Sequence, residues 1–341
     1  MLSELEKSQF ASIATNLNFG IGADNMIVLQ PCTEEQLLDI NRHRCYWETI
    51  PSARKADFIF RMFEPSGKEA FSCGNGLMCI ADHLHEQRRS IFSHIMTEIP
   101  LSCPKVVSIG YEQHSGMNWA NLGTPTYIPV SIVKIPNAVP VNGFLQLVSD
   151  VTVTLQSSGF EHRGREKSFT LSGYLVFTGE PHLVILADKG ISIGDVSNDM
   201  FVSERRDAGR LVDGRRIGDY STWLVHNIGM YLNQSASSFF PAGINVTFFR
   251  IVDGEGTIEY RSFERGINHE TLACGTGAVA ASVVCRELDL CDVERFTVWP
   301  HRCRWYSPET YYLVRREQDE WYIYGRPELL YRGTLVYGQH L

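Results

Sequence analysis

Apolar positions along the chain recur with two different periods, and the places where one period gives way to the other carry the most information. Residues 57–63 (DFIFRMF) are apolar and aromatic and stop short of Pro65, which predicts a strand entering a turn. Leu77, Ile80, Ala81 and Leu84 then recur at helical spacing. The same succession returns later. Residues 246–252 (VTFFRIV) and 257–263 (TIEYRSF) flank Asp253-Gly254-Glu255-Gly256, a hairpin signal, and Ala278, Ala281, Val284, Cys285 and Leu288 keep a second helical stripe. Between the two regions lie short strand-like runs such as 151–155 and 174–177, separated by turn residues. Residues 191–222 are charged and weakly periodic, notably 203–207 (SERRD), and read as a solvated surface excursion without chemistry. Strands dominate, with a few helices among them.

The recurrence extends to residue identity. Arg61, Phe63 and Glu64 return as Arg261, Phe263 and Glu264, an offset of 200. After a one-residue insertion, Glu69, Cys73, Gly74 and Gly76 return as Glu270, Cys274, Gly275 and Gly277, an offset of 201. Each copy therefore places a cysteine at a strand-loop-helix junction. The paired Arg and Phe positions suit stabilisation of the fold better than contact with a substrate.

Composition narrows the partners. With 341 residues the chain exceeds the usual limit of a single core, so two domains of comparable size are expected, one per repeat. The boundary is placed near residue 130. A net charge of -8 without a basic stripe argues against nucleic acid and anionic membrane, and leaves a small molecule as the ligand. The opening residues are acidic where a signal peptide is basic, and no stretch approaches membrane-spanning length, so a cytoplasmic location is expected. Nine scattered cysteines suit a reducing compartment, most of them as small buried hydrophobes. Cys73, Cys79, His83 and His85 lie close in sequence, as do Cys285, Cys291 and Cys303, but neither group has the close cysteine pairing of structural zinc sites.

A helix start presents unpaired backbone amides and the positive end of a dipole, and glycine lets a ligand approach that backbone. Gly74-Asn75-Gly76 and Gly275-Thr276-Gly277 thus form two small anion cradles, and the same features lower a thiol's pKa. Cys73 and Cys274 are candidate reactive thiols. Inversion of an amino acid at its α-carbon needs a base, an acid and donors for charge developing on the carboxylate. One ionised and one protonated thiol supply the first two, and the cradles supply the third.

With these motifs on hand, the chain resembles the pyridoxal-phosphate-independent diaminopimelate epimerases. The resemblance rests on Ser72-Cys73-Gly74-Asn75-Gly76 with Cys79, on Glu264-Arg265-Gly266 followed by residues 270–278 (ETLACGTGA), on residues 18–24 (NFGIGAD), on Gly179-Glu180-Pro181-His182, and on Phe240-Pro241 with Gly243-Ile244-Asn245-Val246. These anchors span nearly the whole chain. The resemblance implies an α/β fold of two pseudo-symmetric lobes, each a curved, mostly antiparallel sheet around a central helix. Residues 1–129 with 326–341 would form the lobe carrying Cys73, and 130–325 the lobe carrying Cys274. It further implies Cys73 and Cys274 as the acid/base pair, His182 and Glu264 assisting one thiol each, and Gly74, Asn75, Gly275 and Thr276 holding the substrate carboxylate. Asn245 and Arg265 would serve the far end of the substrate. No cofactor or metal is implied, and family members commonly form homodimers.

Two departures bear on the substrate. The family's His-Gly-Leu-Gly-Asn-Asp segment does not precede Asn18, and two family asparagines are here Glu64 and Glu180. Neutral amides suit a zwitterionic far end, whereas extra carboxylates favour a cation, or pair with Arg265. The chain is thus expected to be a two-thiol epimerase or racemase of diaminopimelate-epimerase type, converting LL- to meso-diaminopimelate in lysine biosynthesis. A racemase of a basic amino acid (lysine, ornithine, arginine or histidine) is the alternative within the enzyme class. A non-catalytic, metal-stabilised binding relative is the alternative outside it.

Overall fold

The computed structural model describes residues 2–88, 90–155, 167–192, 200–201, 210–212, 215–217 and 220–334. The chain divides into two units, residues 1–122 with 324–341, and residues 123–323. The first division falls at Gly123 and not near 130, and the second at Tyr324.

In the first unit, α1 (Glu4–Ala14) begins with a capping box in which the Ser3 hydroxyl and Glu6 carboxylate satisfy each other's backbone amides. Strand β1 (Met26–Pro31) follows, then α2 (Glu34–Arg44), capped by Thr33. The predicted strand is β2 (Phe58–Phe63), buried along its length and joined by the short β3 (Glu69–Ala70). Helix α3 (Gly74–Arg88) starts immediately after Cys73 and buries Leu77, Ile80, Ala81 and Leu84. Strands β4 (Phe92–Thr97), β5 (Lys105–Glu112) and β6 (Met117–Gly123) complete the sheet order β1-β2-β4-β5-β6. All of these pairs are antiparallel except β2 with β4. A parallel pair requires a crossover, and α3 supplies it. Leu37 and Ile40 of α2 pack with Trp47, Ile59, Met96 and Ile99 into a core cluster.

The second unit repeats this plan and extends it. Strands β7 (Val139–Pro140), β8 (Gln146–Leu155), β9 (Lys167–Phe177) and β10 (Pro181–Leu186) come first, with a register shift in β8 between Val148 and Val151. Among the described residues, strands β11 (Arg210–Val212) and β12 (Arg215–Ile217) pair with each other. Helix α4 (Tyr220–Gln234) was not expected from the sequence. The predicted hairpin is β13 (Asn245–Ile251) and β14 (Thr257–Glu264), turned where the Asp253 carboxylate accepts from the amides of Glu255 and Thr257. Next come β15 (His269–Glu270), α5 (Gly275–Glu287), β16 (Arg295–Pro300), β17 (Tyr312–Glu317) and β18 (Glu320–Gly325). The order is β7-β8-β9-β10-β13-β14-β16-β17-β18. Again the cysteine-bearing junction feeds a crossover: β14 and β16 are parallel, and α5 connects them. Helix α5 packs on strands β9, β10, β13, β14, β16 and β17 and is buried from Gly275 to Cys285, which explains its unbroken run of small and branched residues.

The duplicated Arg and Glu form the same brace in each unit. The guanidinium of Arg61 bonds both Glu69 oxygens at 2.7 and 2.6 Å, tying β2 to β3, and its remaining nitrogen reaches Glu4 of α1 at 2.6 Å. Arg261 bonds both Glu270 oxygens at 2.7 and 2.8 Å, tying β14 to β15, and also reaches the Met200 carbonyl, Ser221 and Thr222. Here the reading of residues 191–222 as a solvated excursion is corrected. Met200, Phe201, Ser221 and Thr222 are buried, and Met200, Ser221 and Thr222 close the coordination of the buried Arg261 guanidinium, while 203–207 lie outside the described residues. The cysteine expectation also changes: Cys274, Cys285 and Cys291 are buried, whereas Cys45, Cys79 and Cys103 are exposed on loops and a helix face.

Candidate active site

Cys73 and Cys274 each stand one residue before the first turn of a crossover helix. Cys73 is half-buried, and the Gly76 amide donates to its sulfur at 3.3 Å. A sulfur in the capping position thus receives the kind of hydrogen bond that favours its ionised form. Glu64, buried at the end of β2, accepts from Ser66 at 3.4 Å. The first amides of α3, those of Gly74 and Asn75, belong to the turn in which a helix offers donors without internal partners.

Cys274 is buried and clamped by its backbone. The Tyr260 hydroxyl accepts from the Cys274 amide at 2.8 Å and donates to its carbonyl at 2.9 Å. Its sulfur lies 3.5 Å from the Thr276 hydroxyl. A Cβ at Gly277 would sit 3.3 Å from the Cys274 sulfur and 3.1 Å from the Thr247 hydroxyl, so both would have to give by a few tenths of an ångström.

His182 enters from β10, fully buried. Its Nε2 bonds the Thr276 hydroxyl at 3.0 Å and its Nδ1 the Thr247 hydroxyl at 3.0 Å. Burial, with the Arg265 charge adding to it, lowers the imidazole pKa to about 3, so the ring is neutral. Thr247 in turn meets Ser262 at 3.1 Å, its register partner across β13 and β14.

Adjacent in the sheet, His182 pairs in register with Asn245. The Asn245 carboxamide accepts from the Arg265 amide at 2.9 Å. The Arg265 guanidinium bonds one Glu180 oxygen through two nitrogens, at 3.0 and 2.5 Å, and the Ala242 carbonyl at 3.2 Å. Glu264 accepts from the Thr271 hydroxyl. The second unit therefore gathers Cys274, Thr276 and His182 in one hydrogen-bonded group and Asn245, Arg265 and Glu180 in a neighbouring one. Thr247, Ser262, Tyr260 and Thr178, whose hydroxyl donates to the Thr276 carbonyl at 3.0 Å, escaped the sequence reading. Thr247, Tyr260 and Ser262 leave there only the trace of a polar residue inside an apolar strand, and Thr178 lies between two strands. Among the described residues, no three His, Cys, Asp or Glu side chains are grouped to hold a metal, and no helix is long and apolar enough to cross a membrane.

No family model matches the chain. The diaminopimelate epimerase of Methanothrix thermoacetophila is 28% identical over 296 residues, covering 85% of this chain and 74% of that one. The diaminopimelate epimerase of Archaeoglobus fulgidus is 26% identical over 292 residues, covering 85% and 75% respectively. The solved structure of a predicted epimerase from Pseudomonas aeruginosa matches 99% of this chain and 90% of its own, with a TM-score of 0.51 at 14% identity, a likeness of fold. The chain is an enzyme, and over most of its length it is similar to diaminopimelate epimerases.

Proposed function

We propose that the enzyme inverts the α-carbon of an amino acid by exchange of protons with two thiols. One thiolate removes the α-proton, the other thiol returns its proton to the opposite face, and the pair is left with its ionisation reversed. Atoms and charge balance without an added cofactor. The observation that carries this reading is the repeated junction: in each unit a buried Arg–Glu brace leads into a cysteine at the start of a crossover helix. The amides of Gly74, Asn75, Gly275 and Thr276 are the donors suited to the substrate carboxylate. His182 and Glu264 act as auxiliaries.

For the substrate, the Glu180–Arg265 pair favours one of the alternatives. A carboxylate at the far end of a substrate would have to displace Glu180 from a buried guanidinium that already has three hydrogen bonds. The better match is an α-amino acid whose side chain carries no carboxylate, with basic side chains first because Glu64 adds a further negative charge. Diaminopimelate is the second reading, favoured by the names of the relatives. With it would go a place in lysine biosynthesis and a homodimer, which sedimentation equilibrium checks.

The deciding experiment incubates reduced enzyme in heavy water with a panel of L- and D-amino acids and with LL- and meso-diaminopimelate, following loss of the α-proton by NMR. Exchange on a basic amino acid, abolished by Cys73→Ala and by Cys274→Ala, is expected. Exchange confined to diaminopimelate would select the second reading, and full activity in either alanine variant would reject the two-thiol mechanism.

A further inference from the structure

Four side chains form an unbroken line of hydrogen bonds that ends on the sulfur of Cys274. Ser262 meets Thr247 at 3.1 Å, Thr247 meets His182 Nδ1 at 3.0 Å, His182 Nε2 meets Thr276 at 3.0 Å, and Thr276 lies 3.5 Å from the sulfur. All five residues are buried. A neutral imidazole has one donor nitrogen and one acceptor nitrogen, so the line has two directions. If Nδ1 carries the proton, Thr276 donates to Nε2 and the sulfur can enter only as a weak S–H donor. If Nε2 carries it, the imidazole donates to the Thr276 oxygen, the Thr276 hydroxyl hydrogen is directed at the sulfur, and Thr247 donates to Nδ1 with Ser262 behind it.

The second direction is stronger when the sulfur is ionised, because a hydrogen bond to a charged acceptor is about twice as strong as one between neutral groups. Cys274 also sits at the positive end of α5, which favours a negative sulfur. We propose that Thr276 and His182 are positioning residues for Cys274: the Nε2–H tautomer turns the Thr276 hydroxyl onto the sulfur and holds it as the thiolate, so Cys274 rests as the base. This rests on the two-thiol reading above and adds which thiol starts ionised and what keeps it so. Arg265 lends its charge to the surroundings of His182, and near Cys274 stands the phenol of Tyr260, with Glu264 and Tyr312 beside it. Burial keeps that phenol protonated, so it does not compete for the role.

Two measurements test the assignment. Nitrogen-15 NMR of histidine-labelled full-length enzyme, with the His182 signal identified by its loss in His182→Gln, should show the Nε2–H tautomer; the Nδ1–H tautomer would overturn the proposal. Separately, the rate of iodoacetamide alkylation of Cys274 can be followed against pH by peptide mass spectrometry. Thr276→Val keeps the shape and removes the hydroxyl, and should lower alkylation at neutral pH by about tenfold, the equivalent of one pKa unit. Thr276→Ser should restore it to within about twofold of the parent. An unchanged profile in Thr276→Val would sink the idea, and the NMR result stands independently of whether that variant folds. Neither readout needs turnover, so failure here is separable from failure of the two-thiol mechanism, which the exchange assay on Cys274→Ala measures.

Discussion

The two buried histidine and arginine environments illustrate how a single side chain shapes the behaviour of the protein. His182 is neutral in the folded state down to about pH 3, whereas in the unfolded chain it takes up a proton near 6.5. Below that pH the unfolded state binds a proton that the folded state refuses, so stability should fall as pH drops, by about 1.4 kcal/mol per pH unit between roughly 6 and 4. Urea titrations of the parent and of His182→Gln across this range check it; an equal slope in both would be inconsistent with a buried neutral ring. Glu4 acts in the same direction at lower pH. Burial pushes its carboxyl up, but bonds to Arg61 and Lys7 outweigh burial and hold it at about 2, so its contribution is present above the ordinary carboxylate range and lost as pH falls through it. Arg61 itself neutralises both Glu4 and Glu69 in the interior. Arg61→Ala takes the guanidinium away from Glu69 and leaves Glu4 to Lys7 and Arg44, and should cost about 3–5 kcal/mol, measured by urea unfolding.

At the scale of elements, glycine decides how closely helices approach strands. A Cβ on Gly229 of α4 would lie 2.1 Å from the ring of Phe263 on β14, a ring fully buried. Gly229→Ala should therefore destabilise the enzyme by at least about 1–3 kcal/mol, even though alanine favours helix, and thermal unfolding reads the sign. Gly277 is a milder case, because its neighbours need to give by only a few tenths of an ångström, but one of them is the Cys274 sulfur. Gly277→Ala should fold with near-parental stability and, under the proposed two-thiol mechanism, lose about tenfold or more in α-proton exchange, since small displacements at a reacting atom are costly. The strands, hairpin and both crossover helices were legible because each has an uninterrupted period: β2, β13, β14, α3 and α5 coincide with apolar runs that need only local sequence to specify. Helix α4 was not, since residues 220–234 follow a charged stretch and its buried face is defined by packing on β8, β14 and β15. The burial of Met200, Ser221 and Thr222 was invisible for the same reason. Their role is to satisfy Arg261, which is far away in the sequence.

For the whole molecule, the duplication means that similar local physics operates twice. Arg61 and Arg261 share no bonding partner among the described residues, so the losses from Arg61→Ala and Arg261→Ala should add to within about 0.5 kcal/mol in the double variant, a comparison that equilibrium unfolding provides. A large coupling would indicate that the two braces are not independent. What the sequence by itself determined is the repeated motif, the thiol at each helix start and the resemblance to diaminopimelate epimerases, because a strand-turn-helix junction with its glycines is encoded within some twenty consecutive residues. What only the tertiary structure decided is which side chains those thiols and their helpers meet. Thr247 and Thr276 became partners of His182, Ser262 the partner of Thr247, and Glu180 the partner of Arg265, through β10, β13, β14 and α5 packing together. Hydrogen bonds of that kind depend on distances of a few ångströms between residues up to ninety-four positions apart, and no local pattern in the chain specifies them.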